Sequence, residues 1–157
     1  MTPGKVDLQV VTARLEIVAS CLRDLRSLPA GSLEEFMADP RNAAAADSFL
    51  RRALEALLDV ARHLLAKGYG EGAVEYRQVA IRAAEHGIIL DPAVAQNFPK
   101  LAGYRNRLTH FYAEVTPQEL FLIVTGELGD IESVAGELRS AAGRLGRGSP
   151  GVGGAEH

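Results

Sequence analysis

The sequence predicts an all-α protein, an antiparallel bundle of four to five helices. Three observations predict it. Apolar residues recur at intervals of three and four along most of the chain, the spacing that places them on one face of a helix. A capping residue directly precedes proline at Asp39-Pro40, Asp91-Pro92 and Thr116-Pro117, the signature of a helix N-terminus. No segment alternates apolar and polar residues as a half-buried strand would.

The elements follow in order. Leu8, Val11, Leu15, Val18, Leu22 and Leu25 form one narrow apolar stripe on a first helix spanning roughly residues 5–28. The segment "SLPAGS" ends it. "SLEEFMADP" reads as a linker with a helical turn anchored by Leu33 and Phe36. Asp39 and Pro40 open a long second helix that stops at Gly68 as its C-cap. Its apolar set, from Phe49 and Leu50 through Leu57 and Leu58 to Leu64 and Leu65, is wider than one seam requires. Such a helix is buried on two sides, by neighbours in the bundle or by a second subunit. "AVEYRQVAIRAAEHG" is a third helix with Gly87 as its stop. After Asp91-Pro92, Pro99 breaks or kinks the chain, and a further helix starts near Lys100. "VTPQEL" then reads as a capping box, with Thr116 at the N-cap and Glu119 three residues on. The last helix runs to about Gly143. Residues 1–143 form one domain, and the Gly-rich residues 144–157 form a flexible tail.

Composition narrows the function classes. The chain has 157 residues, 47% hydrophobic and 24% charged, with a formal net charge of −3. A net negative chain is not a polybasic nucleic-acid coat, because that affinity comes from Lys and Arg neutralising phosphates. The single cysteine, Cys21, excludes an intrachain disulfide and a cysteine-based metal cluster, and it lies in an apolar helical pattern as a small core residue. No signal peptide and no membrane span is read, so the expected location is the cytoplasm. His63 and His86 are expected to be structural, the latter favoured near a helix C-terminus, and His157 belongs to the tail.

One stretch stands apart. Residues 104–112 read "YRNRLTHFY". On a helical wheel Leu101, Tyr104, Leu108, Phe111 and Val115 make an apolar stripe about 80° wide. Tyr112, Arg105, Thr109, Asn106 and His110 fill the polar arc beside it. Asn106 with His110, and Arg105 with Thr109, are spaced to touch. Arginine offers a charged fork of donors suited to phosphate. Histidine exchanges a proton near neutral pH. Asparagine orients what it bonds. No carboxylate cluster accompanies them in the sequence, so no metal or other cofactor is expected.

The pattern Arg105-Asn106-x-x-x-His110-x-Tyr112 resembles the R-x4-6-H-x-Y motif of the HEPN superfamily, and within it the HepT-like toxins. The likeness extends over "AAADSFLRRALEALLDVARHLLAKG" and "YRQVAIRAAEHGIILDPAVAQNFPKLAGYRNRLTHFY", and in all over roughly residues 5–140. The resemblance implies a helical bundle that forms a homodimer, with two motif helices facing a shared cleft. It implies metal-independent ribonuclease activity on RNA with Arg105 and His110 catalytic and Asn106 supporting; Thr109 takes a supporting place beside them. Lys100, Arg105 and Arg107 form a local basic spot, with Lys100 and Arg107 as expected RNA contacts. It further implies a partner, a small MntA-like nucleotidyltransferase antitoxin able to attach AMP to Tyr112. The alternative is a non-catalytic interaction or nucleotide-binding module of the same fold.

Overall fold

The computed structural model describes residues 4–73, 75–110 and 114–147. Among these residues the chain forms α1 (Leu8–Arg26), α2 (Leu33–Met37), α3 (Pro40–Tyr69), α4 (Tyr76–Glu85), α5 (Pro92–Thr109), α6 (Pro117–Gly126) and α7 (Leu128–Arg147), and no strand. The four long helices α1, α3, α5 and α7 make the bundle, and the short α2, α4 and α6 close its sides.

The three cap-and-proline signals are realised. Asp39, Asp91 and Thr116 are the N-caps of α3, α5 and α6, and each side chain accepts a backbone N–H of the first turn. Asp7 does the same for α1, accepting from Gln9 and Val10. The linker turn exists as α2, held by Phe36, which is fully buried and meets Phe121 at 5.8 Å between ring centroids, while Leu33 stays partly exposed.

α3 is the axle of the fold. It contacts all six other helices, and Leu50, Leu54, Leu57, Leu58, Leu64 and Leu65 are fully buried. Its broad apolar girth is therefore covered within one chain, and a second subunit is not needed to explain it. Removing one such leucine side chain costs about 2–5 kcal/mol, through lost transfer energy and a cavity.

Four boundaries differ from expectation, each for a local reason. α3 passes through Gly68 and ends at Gly70, whose φ of 67° is left-handed; the Gly70 and Glu71 amides close the turn on the Ala66 and Leu65 carbonyls. α5 runs unbroken through Pro99. Proline there forfeits one backbone bond, but Phe98, Leu101 and Ala102, all buried, hold the helix to the core on both sides of it. The expected last helix is two helices, α6 and α7, parted at Glu127. α7 continues to Arg147, past the expected end at Gly143; the remainder of the expected tail, 148–157, lies outside the described residues.

Candidate functional site at the end of α5

The last two turns of α5 carry most of the motif. Arg105 is half-buried and turned toward the bundle. Its Nε and Nη2 both lie 3.3 Å from the same oxygen of Glu55 on α3, and its Nη1 donates to Asn106 Oδ1 at 3.3 Å. Its guanidinium also stacks on the Tyr76 ring of α4, 4.5 Å from the centroid. Arg62 of α3 lies at the same 4.5 Å from that ring. The Tyr76 hydroxyl donates to Asp59 at 2.6 Å, and Asp59 also pairs with Arg14 and Arg62. Burial, then the Asp59 carboxylate, pushes the Tyr76 phenol up to about 12.

Thr109 ends the helix. Its hydroxyl donates back to the Arg105 and Asn106 carbonyls at 3.2 and 3.0 Å, satisfying acceptors at the helix end from its own side chain. His110 is the C-cap, in extended conformation and exposed, with its amide on the Asn106 carbonyl. This corrects the wheel at one point: His110 is the first residue beyond the helix, so its direction is set by the turn and not by helical phase. The same correction removes Val115 from the helical stripe. Tyr112 and Phe111 lie outside the described residues.

The two expected RNA contacts both carry carboxylate partners. Lys100 reaches Glu127 at 3.1 Å, and Tyr104 donates to the same carboxylate at 3.0 Å. The bond to Glu127 raises the Lys100 ammonium above its ordinary value. Arg107 is clamped harder. It holds Glu119 in a bidentate pair at 2.6 and 2.7 Å and donates to the Glu114 carbonyl at 2.9 Å. That bond holds the Glu119 carboxyl below its ordinary range. Glu119 is the residue of the expected capping box, and only half of the box forms: its amide donates to Thr116 Oγ1 at 3.2 Å, while its carboxylate serves Arg107. Arg107 thus ties the end of α5 to the start of α6.

The other histidines have structural partners. His63 Nε2 accepts the Asp7 amide at 2.9 Å, and His86 caps α4, stacked on Tyr69 and 3.4 Å from Glu71. Cys21 is buried. Among the described residues no group of three or more His, Cys, Asp or Glu side chains is placed to hold a metal ion, and no helix is long and apolar enough to cross a membrane.

Glu55, Asp59, Arg62 and Tyr76 were not singled out from the sequence. A signal was present: Glu55, Asp59 and Arg62 recur at intervals of four and three inside the long helix whose apolar girth is broadest, which costs burial unless they have partners.

The sequence model of the ribonuclease HepT-like family matches residues 18–138, a stretch that includes α3, α5 and all of the Arg105–Tyr112 motif. The chain belongs to the ribonuclease HepT-like family. A curated relative, the tRNA nuclease HepT of Aphanizomenon flos-aquae (strain 2012/KM1/D3), is 23% identical over 116 residues, which is 74% of this chain and 78% of the relative. The fold matches that of the tri-AMPylated Shewanella oneidensis HEPN toxin, solved in complex with MNT antitoxin, with a TM-score of 0.74 at 21% identity over 83% of this chain and 97% of that one. A toxin–antitoxin solved with AMP-PNP matches with a TM-score of 0.73 at 20% identity, over 84% and 98% of the two chains. The HepT-like bundle is thus the fold expected from the motif.

Proposed function

We propose that this HepT-like protein is the toxin of a toxin–antitoxin pair and acts as a metal-independent endoribonuclease. The observation that carries the proposal is the family match enclosing Arg105 and His110 at the end of α5. The curated relative is named a tRNA nuclease, which supports RNA as the substrate class.

The chemistry follows from the groups present. The 2′-hydroxyl of RNA attacks the adjacent phosphorus. The bond to the 5′-oxygen breaks, and a 2′,3′-cyclic phosphate and a free 5′-hydroxyl result. His110, exposed at the C-cap, moves the proton. Arg105 holds the charge that builds on the phosphate oxygens. Asn106 steadies Arg105 through its 3.3 Å bond, and Thr109 sets the turn that presents His110. A homodimer would bring two such sets to one cleft, so that one histidine serves as base and the other as acid.

Regulation completes the proposal. The partner is an MntA-like nucleotidyltransferase antitoxin, in keeping with the AMPylated toxin and MNT antitoxin of the similar structure. It transfers AMP from ATP to Tyr112: the phenol oxygen bonds to the α-phosphorus, the α–β phosphoanhydride bond breaks, and pyrophosphate leaves. A phosphodiester there competes with RNA for Arg105, and the adenosine blocks the cleft by bulk. Lys100 remains the better of the two RNA contacts, since Arg107 is committed to Glu119.

The experiment is growth of cells expressing the chain alone against His110→Ala, with RNA cleavage assayed in EDTA. Toxicity and chelator-resistant cleavage are expected for the wild type. His110→Ala or Arg105→Ala should cost on the order of 100-fold or more. Full activity in either variant, or loss on chelation, contradicts the chemistry. Intact-mass spectrometry after incubation with the partner and ATP should show added AMP in the wild type and none in Tyr112→Phe; unchanged modification in Tyr112→Phe removes Tyr112 from the scheme. A second reading, a non-catalytic module of the same fold, draws support from the pairing of Arg105 with Glu55. RNA binding without cleavage would favour it.

A further inference from the structure

We propose that Glu55 of α3 is a positioning residue for Arg105, and that Tyr76 and Asp59 form the floor against which it acts. The inference rests on the ribonuclease reading, and it concerns a contact that neither the motif nor its spacing contains.

An arginine on a helix surface swings on a long flexible stem. A charge stabiliser must instead stand where charge will build before the reaction begins. Arg105 is held from three directions. Glu55 covers its Nε–Nη2 edge, Asn106 takes Nη1, and the Tyr76 ring supports one face of the plane. The Tyr76 ring is itself fixed, buried to 9% exposure and tied through its hydroxyl to Asp59. The guanidinium has five N–H donors in a rigid fork. A single Glu55 oxygen on the Nε side leaves the far end of the fork, between Nη1 and Nη2, turned away from that carboxylate. That end is the one able to meet two oxygens of a phosphate. The Arg105 side chain is 26% exposed and Glu55 32%, so the pair lies at the surface of the bundle and not sealed within it.

A carboxylate beside the cation has two opposed effects. It repels an incoming phosphate, which weakens ground-state binding. It also fixes the fork, which helps the step in which charge accumulates. A residue acting in this way has a kinetic signature: its removal lowers kcat without raising KM.

The test is Glu55→Gln, which keeps size and shape and removes the charge. With an unchanged melting temperature, kcat for RNA cleavage should fall about tenfold to 100-fold, the scale of a misplaced catalytic group, while KM stays level or falls. In an Arg105→Ala background the same substitution should cost nothing more, because the group it positions is gone. Glu55→Asp, which retains the charge on a shorter stem, should recover part of the loss. Wild-type kcat in Glu55→Gln, or an equal further loss in the Arg105→Ala background, overturns the assignment.

A second readout does not depend on turnover. In 15N spectra the Arg105 Nε–H should be protected from exchange in the wild type and lose that protection in Glu55→Gln. If the wild type cleaves no RNA, the ribonuclease reading fails, and this spectrum still decides the positioning. An Arg105 signal identical in the two proteins refutes it.

Discussion

His63 ties the start of α1 to α3 through a single ring nitrogen. Its Nε2 accepts the Asp7 amide at the start of α1, so the bond exists only while that nitrogen is unprotonated. Burial, with Lys67 adding to it, lowers the imidazole below its ordinary value. With the folded value depressed, the unfolded chain binds the proton more readily. The stabilisation is therefore complete above about pH 6.5, the unfolded value, and is lost as pH falls through the lower folded value. Melting temperature measured from pH 8 to pH 5 should drop at the acid end, and His63→Gln should flatten part of that drop. Tyr76 behaves in the opposite sense at alkaline pH. Its phenol is raised to about 12, so its contribution is present below the unfolded value near 10 and fades as pH rises through the folded one. Ultraviolet titration should lose its latest phenol ionisation in Tyr76→Phe, while Tyr104, which burial and its bond to Glu127 also raise, keeps its own late step. Neither partnership is visible in the sequence: Asp7 and His63 are 56 residues apart, and periodicity speaks only of neighbours on one helix.

At the scale of elements, helix starts were legible and helix interruptions were not. Asp39, Asp91 and Thr116 act on amides two or three residues away, so the local sequence contains the whole interaction. Whether Pro99 ends a helix depends on what grips the chain around it, and here Phe98, Leu101 and Ala102 do. Gly68 and Gly70 are equivalent as letters; only Gly70 takes the left-handed backbone. The helix parts at Glu127, directly after Gly126, and the Glu127 carboxylate meets Lys100 and Tyr104 on α5, a contact that local periodicity does not contain. The motif was legible as a set of residues, and the position of His110 beyond the helix was not, because it turns on the back-bonding of Thr109. Two substitutions test these elements. Gly136 lies within α7 with ordinary backbone, and a Cβ there meets nothing within 4 Å. Gly136→Ala should stabilise the chain by about 0.5–1 kcal/mol in denaturant titrations. Arg107→Ala should cost under about 1 kcal/mol globally, since the pair with Glu119 is partly exposed, yet should speed amide exchange in the segment between α5 and α6.

For the whole molecule, the expectation of a homodimer has to stand on different ground from the apolar width of α3. That width is used up by the six surrounding helices. What supports a dimer is the family resemblance and the chemistry, since one chain offers a single motif histidine at the end of α5. Light scattering should give twice the 16.8 kDa chain mass at micromolar concentration; a stable monomer that still cleaves RNA would remove the shared cleft from the mechanism.

The lone thiol of Cys21 lies at 2% exposure on the inner face of α1, and burial raises it above its ordinary value. A disulfide reagent cannot reach it without parting α1 from its neighbours. Labelling kinetics on the unmodified protein thus become a clock for opening of the native bundle, one that needs no engineered probe. At low reagent the rate reports the equilibrium for that opening, and at saturating reagent it reports how often the opening happens. Run with and without the proposed antitoxin, the same clock would say whether its binding also locks the bundle shut, a mechanical effect separate from any chemistry at the end of α5.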